Sequence, residues 1–268
     1  MSSTGSFVRR VIVPLAPLRA EASERSEQVS QLLYGQYIVE VSTDAVPGED
    51  TAPPASEFWI KIESLDDGYI GWVDPRMLAA EEEVETPSAS TSHGVLLQRP
   101  LTEVRIDGQA IFLPAGSCVS LEVAKSAKDV MLPKAASAVE AAEQFIGAPY
   151  LWGGKSILGM DCSGLIQLAG SLVGLALPRD ASEQEKIGED VAFEDLRSGD
   201  AVFFSKPETP ATATTNASVT HVGWLVKHVG GLSVLHASSD VHVDELTPAG
   251  LVRDGQLTHC FYSGRRFA

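Results

Sequence analysis

Three cysteines, Cys118, Cys162 and Cys260, are all that this 268-residue sequence contains. They stand too far apart for a Cys-x-x-Cys pair, and no His/Cys cluster has zinc spacing, so neither a metal nor a cofactor is expected. An odd, scattered set is not a disulfide framework either. It fits a reducing compartment, with Cys118 and Cys260 read as small buried hydrophobes. Long apolar runs are missing as well. Although 44% of the residues are apolar, nothing approaches the roughly 18 in a row of a membrane span. Residues 11–16 are short and interrupted by proline, unlike the ~7–15-residue apolar core of a leader peptide. A non-secreted, cytoplasmic protein is the expectation. Positive charge is scarce: 20 basic residues face 36 acidic ones, for a net charge of −16. That balance argues against nucleic acid and against anionic membrane as partners. The excess acid reads as a solvated surface.

What is present falls into three regions. Residues 7–80 carry short β-rich runs at 11–13, 37–41, 59–62 and 69–73. Turn signals at Gly35, Pro47-Gly48, Pro53-Pro54 and Asp66-Asp67-Gly68 separate them. Short strands between turns predict a small β-barrel rather than βαβ units. Residues 81–92, acidic and then small and polar, read as a linker. Residues 93–132 hold further strand-like runs at 95–97, 103–106, 110–113 and 119–123, with Asp107-Gly108 as a hairpin signal. About forty residues is short for an independent barrel. In residues 133–268 the helices come first, at 135–146, 162–173 and 182–188. Strands follow at 201–204, 221–226, 233–236, 241–243 and 259–262, after a Pro/Thr/Ala-rich loop at 206–219. That order predicts an α+β domain with an antiparallel sheet.

The chemistry is concentrated in this last region. Met160-Asp161-Cys162-Ser163-Gly164-Leu165 places a cysteine where a loop turns into an apolar helix. Unpaired N–H groups and the positive end of the helix dipole favour thiolate there. A buried cysteine is among the commonest core residues, so the downstream histidines decide the reading. His221, opening an apolar strand, is the candidate general base. His236 sits in the next strand, and both imidazoles can face the same way, His236 orienting His221. His93, His228, His242 and His259 lack such context and are assigned to surface or packing.

Four segments carry a resemblance. Ala148-Pro149-Tyr150-Leu151-Trp152-Gly153-Gly154, Asp161-Cys162-Ser163-Gly164-Leu165, His221-Val222-Gly223 and His236-Ala237 resemble, in order and spacing, the NlpC/P60 family of papain-like cell-wall peptidases. Ser30-Gln31-Leu32-Leu33-Tyr34-Gly35-Gln36 and Asp67-Gly68-Tyr69-Ile70-Gly71-Trp72-Val73 resemble a bacterial SH3 domain. Residues 7–80 are therefore expected to be an SH3-like barrel, 93–132 a shortened second one, and 133–268 the papain-like catalytic domain. The whole is similar to the γ-D-glutamyl-L-diamino-acid endopeptidases of that family.

The resemblance implies Cys162 as nucleophile, His221 as base and His236 as the orienting third residue. It implies that Tyr150 lines the site near the oxyanion, and that Asp161 and Ser163 contact a D-glutamyl group. Ser182, in Pro178-Arg179-Asp180-Ala181-Ser182, is expected to reach the substrate, although Asp180 or Ser182 can equally cap a helix. Tyr69 is expected to form a wall of the cleft. The implied substrate is a murein peptide with a free L-Ala end, cut after γ-D-Glu in cell-wall peptide recycling. A thiol amidase or acyltransferase on another substrate, and a non-catalytic wall-binding protein, are the competing classes.

Overall fold

The computed structural model describes residues 6–41, 58–84, 94–127, 135–207, 218–228 and 231–268. The turn signals at Pro47-Gly48 and Pro53-Pro54, most of the linker, His93 and residues 208–217 of the long loop lie outside the described residues. The chain divides into two compact units, Met1–Leu132 and Pro133–Ala268.

The first unit is built on β1 (Ser6–Arg10), β2 (Leu15–Arg19), β3 (Gln28–Leu33), β4 (Tyr37–Glu40), β5 (Ile60–Ser64), β6 (Ile70–Val73) and β7 (Glu82–Val84). They form one antiparallel sheet in the order β3-β2-β6-β5-β4-β1-β7. The sheet curls around a single core of Val11, Ala16, Leu18, Leu32, Ile38, Ile62, Val73 and Leu78. A second, smaller core (Leu97, Val104, Leu113, Val119, Ala124) gathers the rest of the unit. Here β8 (Val95–Leu96) pairs with β11 (Cys118–Val119), and β9 (Leu101–Ile106) with β10 (Gln109–Pro114). Asp107 and Gly108 make the β9–β10 turn with φ of 50° and 80°, the left-handed pair that a two-residue hairpin requires. The strand expected over 119–123 is cut short. Ser120 accepts a hydrogen bond from the Val123 N–H and caps α1 (Leu121–Ser126), and this capping bond overrides the β preference of the two valines.

In the second unit, Ser137 caps α2 (Ala138–Glu143), which buries Ala138, Val139, Ala141 and Ala142. The short pair β12 (Lys155–Ser156) and β13 (Gly159–Met160) leads into α3 (Cys162–Val173). Asp161 starts α3, and Gly174, at φ 96°, ends it in the left-handed conformation. After α4 (Ala181–Gln184) come β14 (Glu189–Val191), β15 (Ala201–Ser205), β16 (His221–His228), β17 (Gly231–Ala237), β18 (Val241–Thr247), β19 (Gly250–Arg253) and β20 (Gln256–Arg266). The sheet is antiparallel, in the order β14-β20-β15-β16-β17-β18-β19. The long β20 pairs with β15 through its second half and with β19 through its first. Strands β15 to β20 therefore close into a barrel.

Strand periodicity then sorts the side chains. Val202, Phe204, Leu225, Val234, Leu246 and Leu251 form a shared apolar core. On the same faces, two or four residues away, lie His221, His236, His242, Asp244 and His259. One part of the barrel interior is hydrocarbon and the adjoining part is imidazole and carboxylate. The alternate residues of β16, Val222, Trp224 and Val226, are also buried, and α3 packs against this strand. Among the described residues, no helix is long and apolar enough to cross a membrane.

Candidate active site

Cys162 is the first residue of α3 and only 8% exposed. Its thiol receives backbone N–H groups from Val222 and Ser163, so α3 delivers the sulfur to the start of β16, beside His221. Close packing makes this possible. A Cβ on Gly164 would stand 2.2 Å from the Gly154 carbonyl oxygen, so the helix start lies against the Gly153-Gly154 loop as only glycine permits. The electrostatics differ from the sequence expectation. Burial, followed by the charge of Asp161, pushes the thiol up to about 12; the two N–H groups and Arg179 pull it down by less. The helix terminus does favour thiolate, but desolvation outweighs it. The resting sulfur is a neutral thiol.

His221 and His236 meet across β16 and β17, with His221 Nε2 2.7 Å from His236 Nδ1. His236 Nε2 is in turn 3.1 Å from Asp244 Oδ2. Burial alone would raise the Asp244 carboxyl, but the His236 hydrogen bond, together with the neighbouring His236, His242 and Arg253, holds it below its ordinary value. An ionised carboxylate only accepts, which fixes the tautomers along the row. His236 carries its proton on Nε2 and accepts at Nδ1, and His221 donates from Nε2. The Nδ1 of His221 is left with a free lone pair. Burial, and then the neighbouring histidines, lower His221 well below the ordinary imidazole value, and burial lowers His236 despite its bond to Asp244. The base is therefore neutral and ready to take a proton.

Three residues of this cluster were not singled out as functional from sequence. Asp244 reaches His236 only through the β17–β18 register. His242 stands directly opposite His236 in that register, its Nε2 3.3 Å from Asp244 Oδ2. It is not a plain surface residue. His259 stacks on His221 with ring centroids 4.3 Å apart and planes 21° from parallel, a packing role that also shields the base. Among the described residues, His236, His242 and Asp244 form the one group able to hold a metal ion. The expectation of no metal spacing considered neighbours along the chain, not across strands.

Asp161 and Ser163 sit within a buried ion pair. Arg179, 1% exposed, donates to Asp161 Oδ1 at 3.0 Å and Oδ2 at 2.6 Å, and to Ser163 Oγ at 2.9 Å. The same carboxylate accepts from the Gly164 N–H at 2.7 Å and the Gly153 N–H at 2.8 Å. Asp161 is thus the cap of α3 and the anchor of the Gly153-Gly154 loop. Gln184 ties α4 to the same place by donating to the carbonyls of Ser163 and Pro178.

Tyr150 is half-buried on the approach loop, which the β17–β18 turn holds through bonds from Tyr150 N to Ser239 O and from Gly147 N to Val241 O. Burial first, and then Cys162 and Asp161, raise its phenol to about 12, so it stays a hydrogen-bond donor beside the thiol. Ser182 lies exposed on α4. Asp180 is the N-cap residue of α4 but makes no side-chain capping bond. Tyr69 belongs to the first unit, where it packs against the core of the curled sheet.

A thiol at a helix start, reached by the N–H of the residue that follows a neutral imidazole, with that imidazole oriented by a second imidazole and a carboxylate, is an arrangement suited to cysteine-based hydrolysis. Residues 147–253 match the NlpC/P60 family. The match lies within the second unit and covers less than half of the chain. A γ-D-glutamyl-L-lysine dipeptidyl-peptidase of Bacillus cereus is 25% identical over 92% of this chain and 84% of its own length. The protein of the same name from Bacillus subtilis is 40% identical over 35% of this chain, which spans 28% of that relative. The crystal structure of an NlpC/P60 family protein from Bacillus cereus covers 97% of this chain with a TM-score of 0.70 at 17% identity. At that identity, the likeness describes the fold alone.

Proposed function

We propose that the chain hydrolyses the bond between γ-D-Glu and a diamino acid in murein peptides carrying a free N-terminal L-Ala. Cys162 is the nucleophile, His221 the base, and His236 with Asp244 the groups that orient it. The observation that carries this reading is the His221–His236–Asp244 row, at the start of the strand whose Val222 N–H reaches the Cys162 thiol. In the proposed cycle, His221 Nδ1 takes the Cys162 proton as sulfur attacks the γ-carbonyl. The Cys162 backbone N–H and the Tyr150 hydroxyl face the developing oxyanion. The His221 imidazolium then protonates the leaving amine, and water activated by the same residue releases L-Ala-D-Glu. Because both partners start neutral, the thiol proton moves together with attack rather than before it.

The substrate class rests on the two similar dipeptidyl-peptidases, whose names specify a γ-D-glutamyl-L-lysine bond. Residues 7–80 and 93–132 are read as SH3-like barrels, a reading supported by the curled antiparallel sheet and by the Gly68-Tyr69-Ile70-Gly71-Trp72-Val73 run. Three free cysteines suit a reducing compartment, and recycling of murein peptides in the cytoplasm is the role proposed. The test is mass-spectrometric turnover of L-Ala-γ-D-Glu-L-Lys, its diaminopimelate analogue and their N-acetylated forms. Cleavage of the free peptides alone supports the full reading. Equal cleavage of the acetylated forms removes the need for a free amine. Cleavage of none removes the substrate assignment and brings forward acyl transfer to other acceptors.

A further inference from the structure

We propose that His236, His242 and Asp244 form a site for a divalent transition metal of the zinc class, and that metal bound there switches the peptidase off by reversing the tautomer of His221. The binding half stands on the geometry alone, while the switching half rests on the peptidase reading.

The first argument is the convergence of ligand atoms. His242 Nδ1 lies 2.9 Å from the backbone carbonyl oxygen of Asp240 and 3.1 Å from Asp240 Oδ1. A carbonyl only accepts, so Nδ1 carries a proton, and Nε2 is the ring nitrogen left to face a ligand. It points at Asp244 Oδ2, 3.3 Å away, which only accepts. A cation joins the two, as a proton on the ring or as a metal ion in its place. His236 Nε2 reaches the same oxygen at 3.1 Å, so three donor atoms converge on one point, all within 4.8 Å of one another. In a tetrahedral zinc site with bonds of ~2.0–2.1 Å, ligand atoms are spaced by about 3.3 Å. The two edges to Asp244 Oδ2, 3.1 and 3.3 Å, match that spacing, and the two imidazole nitrogens lie within 4.8 Å of each other.

The surroundings match those of a metal ligand. Asp240 orients His242 through the nitrogen opposite the proposed metal, as outer-shell carboxylates and carbonyls do. The Arg253 Nε, 3.4 Å from Asp244 Oδ1, steadies the other carboxylate oxygen and leaves Oδ2 for the ion. Arg253 also contributes one repelling charge, which its 37% exposure lets solvent screen. The His242 side chain is 12% exposed and Asp240 45%, which opens a route from solvent to the site.

The consequence for catalysis follows proton by proton. Metal on His236 Nε2 displaces the proton there, and that proton moves to Nδ1. His236 Nδ1 then donates to His221 Nε2 instead of accepting from it. The His221 proton passes from Nε2 to Nδ1, and no proton is lost overall. His221 now presents N–H rather than a lone pair toward the thiol, so it cannot take the thiol proton.

The test uses the full chain with zinc alone as probe. In Cys162→Ala, which removes the thiol as a competing ligand, calorimetric titration should give one zinc per chain. His242→Gln in the same background should weaken that binding at least ~100-fold, since even an outer-shell partner is worth 10–100-fold. Cobalt titrated into the unsubstituted protein should show weak visible d–d bands without the intense near-ultraviolet thiolate band. Zinc should inhibit turnover with chelator reversal, and His242→Gln, compared with its own metal-free rate, should need at least ~100-fold more zinc. Zinc binding lost in Cys162→Ala, or unchanged in His242→Gln, overturns the site. Stoichiometric binding without inhibition overturns the switch alone, and absence of turnover in metal-free protein counts against the peptidase reading without touching the binding result.

Discussion

Replacing Asp244 by Asn removes the charge at the far end of the His221–His236 row while keeping shape. When His221 becomes an imidazolium, its charge lies about 8 Å from Asp244, a distance of two hydrogen bonds and one ring. At an effective dielectric of ~20, that attraction is worth about 2 kcal/mol, or roughly 30-fold in rate. A second effect adds to it. If the new amide turns its NH2 toward His236 Nε2, the tautomers along the row reverse, and a reversed tautomer in a triad costs up to ~10⁴-fold in kcat. Asp244→Asn should therefore lower kcat by at least about 30-fold, with KM little changed, because Asp244 touches His236 and not the substrate. The assay is steady-state turnover of L-Ala-γ-D-Glu-L-Lys in chelator-containing buffer, with circular dichroism to confirm folding. A folded variant with kcat within about threefold of wild type, an effect below 1 kcal/mol, would refute the positioning role. So would a loss confined to KM.

Other consequences follow from the same cluster and its neighbours. In a Cys118→Ala/Cys260→Ala background, alkylation of Cys162 by iodoacetamide should be slow at neutral pH and still rising above pH 9, because burial raises the thiol to about 12; a plateau reached below pH 8 would contradict this. The imidazoles of His221, His236 and His259 have folded values below the ordinary ~6.5. Their contribution is thus fully present above that pH and is lost as pH falls toward the folded values, about 4 for His259. The melting temperature should be flat from pH 8 to 7 and fall below pH 6.5, the fully buried His221 alone contributing a slope of up to ~1.4 kcal/mol per pH unit; constant stability down to pH 5 would show that these rings are charged in the fold. Arg179→Ala strands the Asp161 carboxylate in the interior and should cost about 3–5 kcal/mol in urea unfolding. A loss below 1 kcal/mol would mean water or a repacked donor takes its place.

How much of this was legible in the sequence depends on whether the determinant is local. The α3 boundaries are local: Asp161 caps one end, Gly174 stops the other, and an apolar stripe lies between. The Asp107-Gly108 hairpin and the apolar strand at 201–205 are local in the same way. Cys162, His221 and His236 could be picked out because each sits in a distinctive short segment. Asp244 could not, since an aspartate in a strand reads as a solvent-facing residue until the β17–β18 register places it under His236. His259 reaches His221 only because β20 closes the barrel, and His242 joins the cluster only as the cross-strand partner of His236. The state of the thiol was misread for a related reason. The helix terminus is visible in sequence, whereas the burial that outweighs it is a property of the packed fold.

The central claim is that Cys162 forms an acyl-enzyme with the γ-carboxyl of D-Glu. The most direct measurement is rapid acid quench of wild-type protein with excess L-Ala-γ-D-Glu-L-Lys, followed by intact-mass analysis and peptide mapping. An L-Ala-γ-D-glutamyl adduct on Cys162, formed in the pre-steady state and absent from Cys162→Ala, is the predicted result. Peptide cleavage that persists in Cys162→Ala, or an adduct carried by another residue, would contradict it.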